Sequence, residues 1–156
     1  MKKRTVTILL ILTLAFIWGN SMLSREASGA ISDGIMSGMN AVAEKLGLGS
    51  DFFTFMYDQD GDGVEEPTSH IVRKIAHVTE FLAFGVLVWL RLESGGVKRA
   101  VTAFLCGTLT GGIDELLQIF SHRGSLFSDV LIDAAGAAAG VLLAVTADAL
   151  IRKRKG

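Results

Sequence analysis

Three rows of ionisable and small residues recur at helical spacing in the second half of this chain. Arg73, His77 and Glu80 stand four and then three residues apart, which confines them to an arc of about 60° on one helix. Gly107, Gly111, Asp114 and Gln118 form a second row with Glu115 beside it, and Asp129, Asp133, Gly136 and Gly140 form a third with acids first. A histidine among carboxylates can serve as general base, and arginines clamp a phosphate through paired hydrogen bonds. Alternatively, His77, Glu80, Asp114 and Glu115 could hold a divalent cation that bridges to a phosphate. His-x-x-Glu on one helix is a weak motif by itself.

The elements that must position these residues are membrane spans. Half the residues are apolar, which a soluble domain could match, so the distribution decides. A bilayer core requires about 20 mostly apolar residues per helix, and residues 5–20, 71–92, 97–120 and 129–151 approach that. The fold expected is an all-α membrane protein with four transmembrane helices. With the N-terminus in the cytoplasm, the inner ends hold Lys2, Lys3, Arg4, Arg91, Lys98, Arg99, Arg152, Lys153, Arg154 and Lys155. The outer side keeps Arg25, Lys45, Arg73, Lys74 and Arg123. Ten basic residues inside against five outside follow the positive-inside bias, so both termini are expected in the cytoplasm. The first span follows a basic start, as a secretory signal peptide also would, but no clean Ala-x-Ala site follows it, and it reads as a retained anchor.

Residues 21–70 then lie outside the membrane. Within them Ile31, Ile35, Val42 and Leu46 share one face of an amphipathic helix. Gly47 and Gly49 supply its stop. Phe52, Phe53, Phe55, Met56 and Tyr57 form a cluster suited to the headgroup zone. This helix is expected to cap the spans or lie on the outer leaflet, with a lid over a site as the functional alternative.

Ionisable groups within spans are expensive unless paired or hydrated, so each is a functional candidate. Glycines at four-residue spacing let helices approach closely in lipid. The third and fourth spans are therefore expected to pack along the faces that carry the acids. Both arguments converge on one outward-facing pocket lined by Arg73, His77, Glu80, Asp114, Glu115, Gln118, Arg123, Asp129 and Asp133, with Lys74 adjacent. Arginines that merely lock helices through ion pairs are the structural alternative. Five acids, two arginines, a lysine and a histidine exceed what registering four helices requires.

Three further features bound the reading. A net charge of −1 implies no bulk attraction to nucleic acid. Cys106 is the sole cysteine, which excludes an intramolecular disulfide and a cysteine metal cluster. The segment from Asp58 to Glu66 matches a calcium loop at Asp58, Asp60, Asp62 and Gly63 and offers Glu66 at the ninth position. Ser69 stands where a bidentate Glu would complete the shell, and Pro67 interrupts the segment. A weak Ca²⁺ site and a solvated acidic turn both fit it.

Arg73-Lys74-Ile75-Ala76-His77-Val78-Thr79-Glu80-Phe81, then Asp114-Glu115-Leu116-Leu117-Gln118-Ile119-Phe120, then Arg123 with Asp129-Val130-Leu131-Ile132-Asp133-Ala134-Ala135-Gly136 resemble the VanZ-like proteins of bacteria. Asn20-Ser21 is similar to the polar end of that family's first helix. Two features depart from the family pattern: Asp133 stands where Asn is frequent, and the acidic segment near Asp60 is additional. The resemblance implies one membrane domain over residues 1–156, a place in the bacterial inner membrane, and a link to glycopeptide antibiotics such as teicoplanin. The function expected is binding of an anionic lipid or envelope-precursor headgroup by Arg73, Lys74 and Arg123 beside the pocket. The alternative is a small intramembrane hydrolase or phosphatase using His77, Glu80, Asp114 and Glu115, and a third reading is a structural partner in a larger complex.

Overall fold

The computed structural model describes residues 2–58, 65–121 and 127–155. Five helices dominate: α1 (Lys3–Ser21), α2 (Arg25–Lys45), α3 (Ser69–Arg91), α4 (Gly96–Phe120) and α5 (Phe127–Lys155). A short antiparallel ribbon, β1 (Met56–Asp58) with β2 (Glu65–Pro67), interrupts them, flanking the segment where the sequence suggested a weak Ca²⁺ site or a solvated acidic turn. The chain divides into two compact units: Met1–Met22 with His77–Gly156, and Leu23–Ala76.

In the first unit, α1, α4 and α5 are each long and apolar enough to cross a membrane. α3 is long enough, at 23 residues, yet falls short on composition. Any stretch of 18 residues within it includes either Arg73, Lys74 and Glu80 or Lys74, Glu80 and Arg91. Its second half is nonetheless core: Phe81, Phe84, Val88 and Trp89 are buried with Ile17, Ala103, Ala137, Val141 and Ala144. Ile11, Leu12 and Phe16 of α1, Leu105, Leu109 and Leu116 of α4, and Leu142 and Leu143 of α5 stay exposed. Large apolar side chains on the outer faces suit helices whose surroundings are lipid.

Small residues set the helix spacing. A Cβ on Gly111 would come within 2.9 Å of the Asp133 Cβ, and one on Gly107 would collide with the Ala137 side chain, so α4 meets α5 along the row expected. The α5 glycines behave differently from the sequence expectation. A Cβ on Gly136 would lie 2.7 Å from the Val78 carbonyl oxygen, and one on Gly140 would strike the Leu82 backbone. Those glycines admit α3, leaving Asp133 and Ala137 to face α4. The two sides of α5 explain the result: positions 133 and 137 form one row and 136 and 140 the adjacent row. At the end holding both chain termini, Arg99 stacks 4.3 Å over the Trp89 ring and donates to the Trp89 carbonyl at 2.7 Å. Arg91 donates to Thr7 Oγ1 at 2.9 Å, and Lys3 pairs with Glu93.

In the second unit, the Ser24 hydroxyl caps α2 by accepting from the Ala27 amide at 3.2 Å. Gly47, at φ +78, ends the helix, with Leu48 N–H donating to the Ala43 carbonyl and Gly47 N–H to that of Glu44. Asn40 then fastens the following turn by accepting from the Phe53 amide and donating to Thr54 Oγ1. The buried side of α2 is Ser28, Ser32, Met36 and Ala43. The apolar row read from the sequence, Ile31, Ile35, Val42 and Leu46, is exposed. Hydropathy registers large apolar side chains such as these and passes over small ones such as Ser28, Ser32 and Ala43. A pocket of about 440 Å³ lies between α2 and the segment after it, with Asp33, Asn40, Glu44, Thr54 and Thr68 among its walls.

Candidate functional site

The polar rows of α3, α4 and α5 meet in the first unit, and the last turn of α1 joins them. Asp114 and Asp133 are both fully buried, and Glu115 and Gln118 nearly so. From α3, His77 Nδ1 lies 3.1 Å from Asp133 Oδ1 and 3.8 Å from Asp114 Oδ2, so the imidazole stands between acids on two other helices. On α4, Gln118 Nε2 donates to Asp114 Oδ2 at 3.1 Å and to Glu115 Oε1 at 2.9 Å. A side-chain amide one turn along the helix thus holds both carboxylates in place.

α1 contributes more than an anchor, which corrects the sequence reading. Ser21 Oγ donates to Asp114 Oδ1 at 2.5 Å, and Asn20 Nδ2 donates to Glu80 Oε1 at 3.2 Å. Ser121 Oγ donates in turn to the Ser21 carbonyl at 3.0 Å, closing the ends of α1 and α4 together. Among the described residues of this unit, Asn20 and Ser21 are the site members absent from the expected lining. Their signal was a polar pair ending an otherwise apolar helix, the pair noted for the resemblance alone.

The remaining expected residues fall in different places. Glu80 sits one turn after His77 but bonds Asn20, and the three groups whose ligand atoms lie within 4.8 Å of one another are His77, Asp114 and Asp133. Asp133 therefore stands where the sequence reading of a cation site had put Glu80 and Glu115. Asp129 is in the first turn of α5, half-buried, with Ser128 Oγ 3.5 Å from its carboxylate. Arg73 and Lys74 belong to the second unit, on the opening turns of α3. Arg123, Asp60 and Asp62 lie outside the described residues, while the backbone of Asp58 pairs with Glu65 and that of Glu66 with Tyr57 across the ribbon.

Two oxygens of the cluster lack partners: Asp133 Oδ2 and Glu115 Oε2 are buried without a hydrogen bond among the described residues. Buried carboxylates at this density are costly unless protons, cations or donors from a ligand meet them. Chemically the arrangement offers acceptors in excess, two side-chain amides and one imidazole. That set suits a cation or a ligand rich in hydroxyl and amino groups.

Neither the comparison with curated proteins nor that with solved structures returned a match. The comparison with protein families did: the VanZ/LLP1 model matches residues 6–151, which takes in both units and every helix carrying the cluster. The chain is a member of the VanZ-like family.

Proposed function

We propose that this chain is a four-span protein of the bacterial inner membrane, with both termini in the cytoplasm, whose polar cluster binds the headgroup of an anionic lipid or envelope precursor. The observation that carries the reading is the network of buried Ser21, Asp114, Glu115, Gln118 and Asp133 with half-buried Asn20, His77 and Glu80, inside helices with apolar outer faces. Ionisable groups at membrane depth are retained for function more readily than for stability. The basic residues at the other end of these helices, Lys3, Arg91, Arg99 and Arg152 among them, favour the cytoplasmic side. The cluster then opens toward the outer leaflet.

The division of labour follows from charge. Carboxylates and amides bind hydroxyl and amino groups of a sugar- or amino-bearing headgroup. The sequence supplies Arg73, Lys74 and Arg123 as cations for its phosphate. Sequestering such a headgroup would also alter susceptibility to glycopeptides such as teicoplanin.

Photo-crosslinking with a polyprenyl phosphate probe tests this in membranes holding wild-type protein, Arg73→Ala or Asp114→Asn. Labelling is expected to fall in both variants at equal expression. Equal labelling of all three proteins rejects the headgroup reading.

A further inference from the structure

Asp114 on α4 and Asp133 on α5 are each fully buried, and His77 on α3 faces both. Ser21 and Gln118 serve Asp114, Gln118 serves one oxygen of Glu115, and His77 serves one oxygen of Asp133. Asp133 Oδ2 and Glu115 Oε2 are left buried without a hydrogen-bond partner among the described residues. Oxygens in that condition call for something they can bind, and the carboxylates around them are costly unless protons or positive charge meet them. His77 is the basic group paired with them among the described residues of this unit, and one imidazole carries at most one charge.

We infer that His77, Asp114 and Asp133 form a binding site for a divalent transition cation. One atom from each of the three residues lies within 4.8 Å of the others. Metal–ligand bonds of about 2.0–2.2 Å place neighbouring ligand atoms roughly 3–4 Å apart, so the ligands need move little. An imidazole nitrogen with carboxylate oxygens suits Mn²⁺, Fe²⁺ or Zn²⁺, whereas Ca²⁺ and Mg²⁺ favour all-oxygen shells. Gln118 fixes the Asp114 carboxylate in orientation, as hydrogen-bonded ligands require. The partial exposure of His77, 12% of its side chain, gives the ion a way in. The site needs no lipid and stands or falls apart from the headgroup reading.

Mn²⁺ titrated into full-length protein in nanodiscs, followed by electron paramagnetic resonance, tests the inference. Wild-type protein is expected to bind one ion per chain with nitrogen coupling from an imidazole. His77→Gln removes that coupling, and Asp133→Asn weakens binding at least about tenfold. D60A/D62A, which removes two acids of the segment that resembles a calcium loop, leaves the signal intact. Asp133→Asn also lifts charge repulsion, so without metal it unfolds no earlier than wild type while losing the stabilisation by Mn²⁺. The inference is overturned by well-folded wild-type protein that binds neither Mn²⁺ nor Zn²⁺, or by Mn²⁺ binding that lacks nitrogen coupling and survives Asp133→Asn.

Discussion

The hydroxyl of Ser21 donates to the buried carboxylate of Asp114 across the contact between α1 and α4. Its oxygen also lies 3.1 Å from the Ile17 carbonyl oxygen one turn earlier, the alternative acceptor for its single proton. Removing the hydroxyl leaves a carboxylate oxygen buried without its donor.

Ser21→Ala is therefore expected to cost about 1–3 kcal/mol, the penalty for an unsatisfied buried acceptor. Thermal unfolding in a mild detergent reads this as a lowered midpoint. In the Asp114→Asn background the same change should cost clearly less, because the charge that demanded the donor is gone. Additive effects would mean that the two side chains do not interact.

The approach of α3 to α5 depends on glycine at two positions. Gly140→Ala drives a methyl into the Leu82 backbone, which cannot rotate away, and Gly136→Ala meets Val78. Each is expected to destabilise by about 1–3 kcal/mol through overpacking. Gly112 supplies the internal control, since a Cβ there meets nothing within 4 Å. Gly112→Ala should be neutral or stabilise by up to about 1 kcal/mol through helix preference. Equal unfolding midpoints for Gly140→Ala and Gly112→Ala would remove the packing argument.

Much of this arrangement is readable from spacing, because a helical period fixes which residues share a face. That is why the sequence alone groups His77, Glu80, Asp114, Glu115, Gln118 and Asp133. Period does not say which neighbour a face meets. A row of glycines accepts any helix, so Gly136 and Gly140 looked like partners of α4 when they admit α3. α1 is otherwise apolar on all sides, so Asn20 and Ser21 stand out at its end but no periodicity says which way they turn. On α2 the apolar row is conspicuous in sequence, yet Ser28, Ser32 and Ala43 are what the protein buries, since small side chains leave no hydropathy signal.

At the end of the bundle holding the chain termini, Lys3 holds the Glu93 carboxyl below the usual glutamate range, through a hydrogen bond and then its charge, with Arg91 adding to the effect. A carboxylate whose folded pKa is depressed contributes stability above its unfolded pKa and loses it as pH falls through the folded value. Both partners are exposed, so the contribution is small and screened by salt. Carbon-detected magnetic resonance of Glu93 should find it titrating below an ordinary glutamate. Lys3→Ala should return it upward, and no movement in that variant would dissolve the pair.

Whether α3 crosses the membrane decides the topology, and its composition argues on both sides. Arg73, Lys74, His77 and Glu80 crowd its first half, while Phe81, Phe84, Val88 and Trp89 fill the core from its second. If α3 spans, Leu48 and Gly95 lie on opposite sides of the bilayer; if it does not, they lie on the same side. Because Cys106 is the only cysteine, Cys106→Ser provides a clean background for Leu48→Cys and Gly95→Cys. A membrane-impermeant maleimide should label Leu48→Cys in intact cells and Gly95→Cys only after permeabilisation. Labelling of both without permeabilisation, or of neither, would place the two positions on one side and leave α1, α4 and α5 as the spans. The fourth crossing is expected because the ionisable side of α3 meets acids on α4 and α5, so its cost in lipid is offset by internal partners.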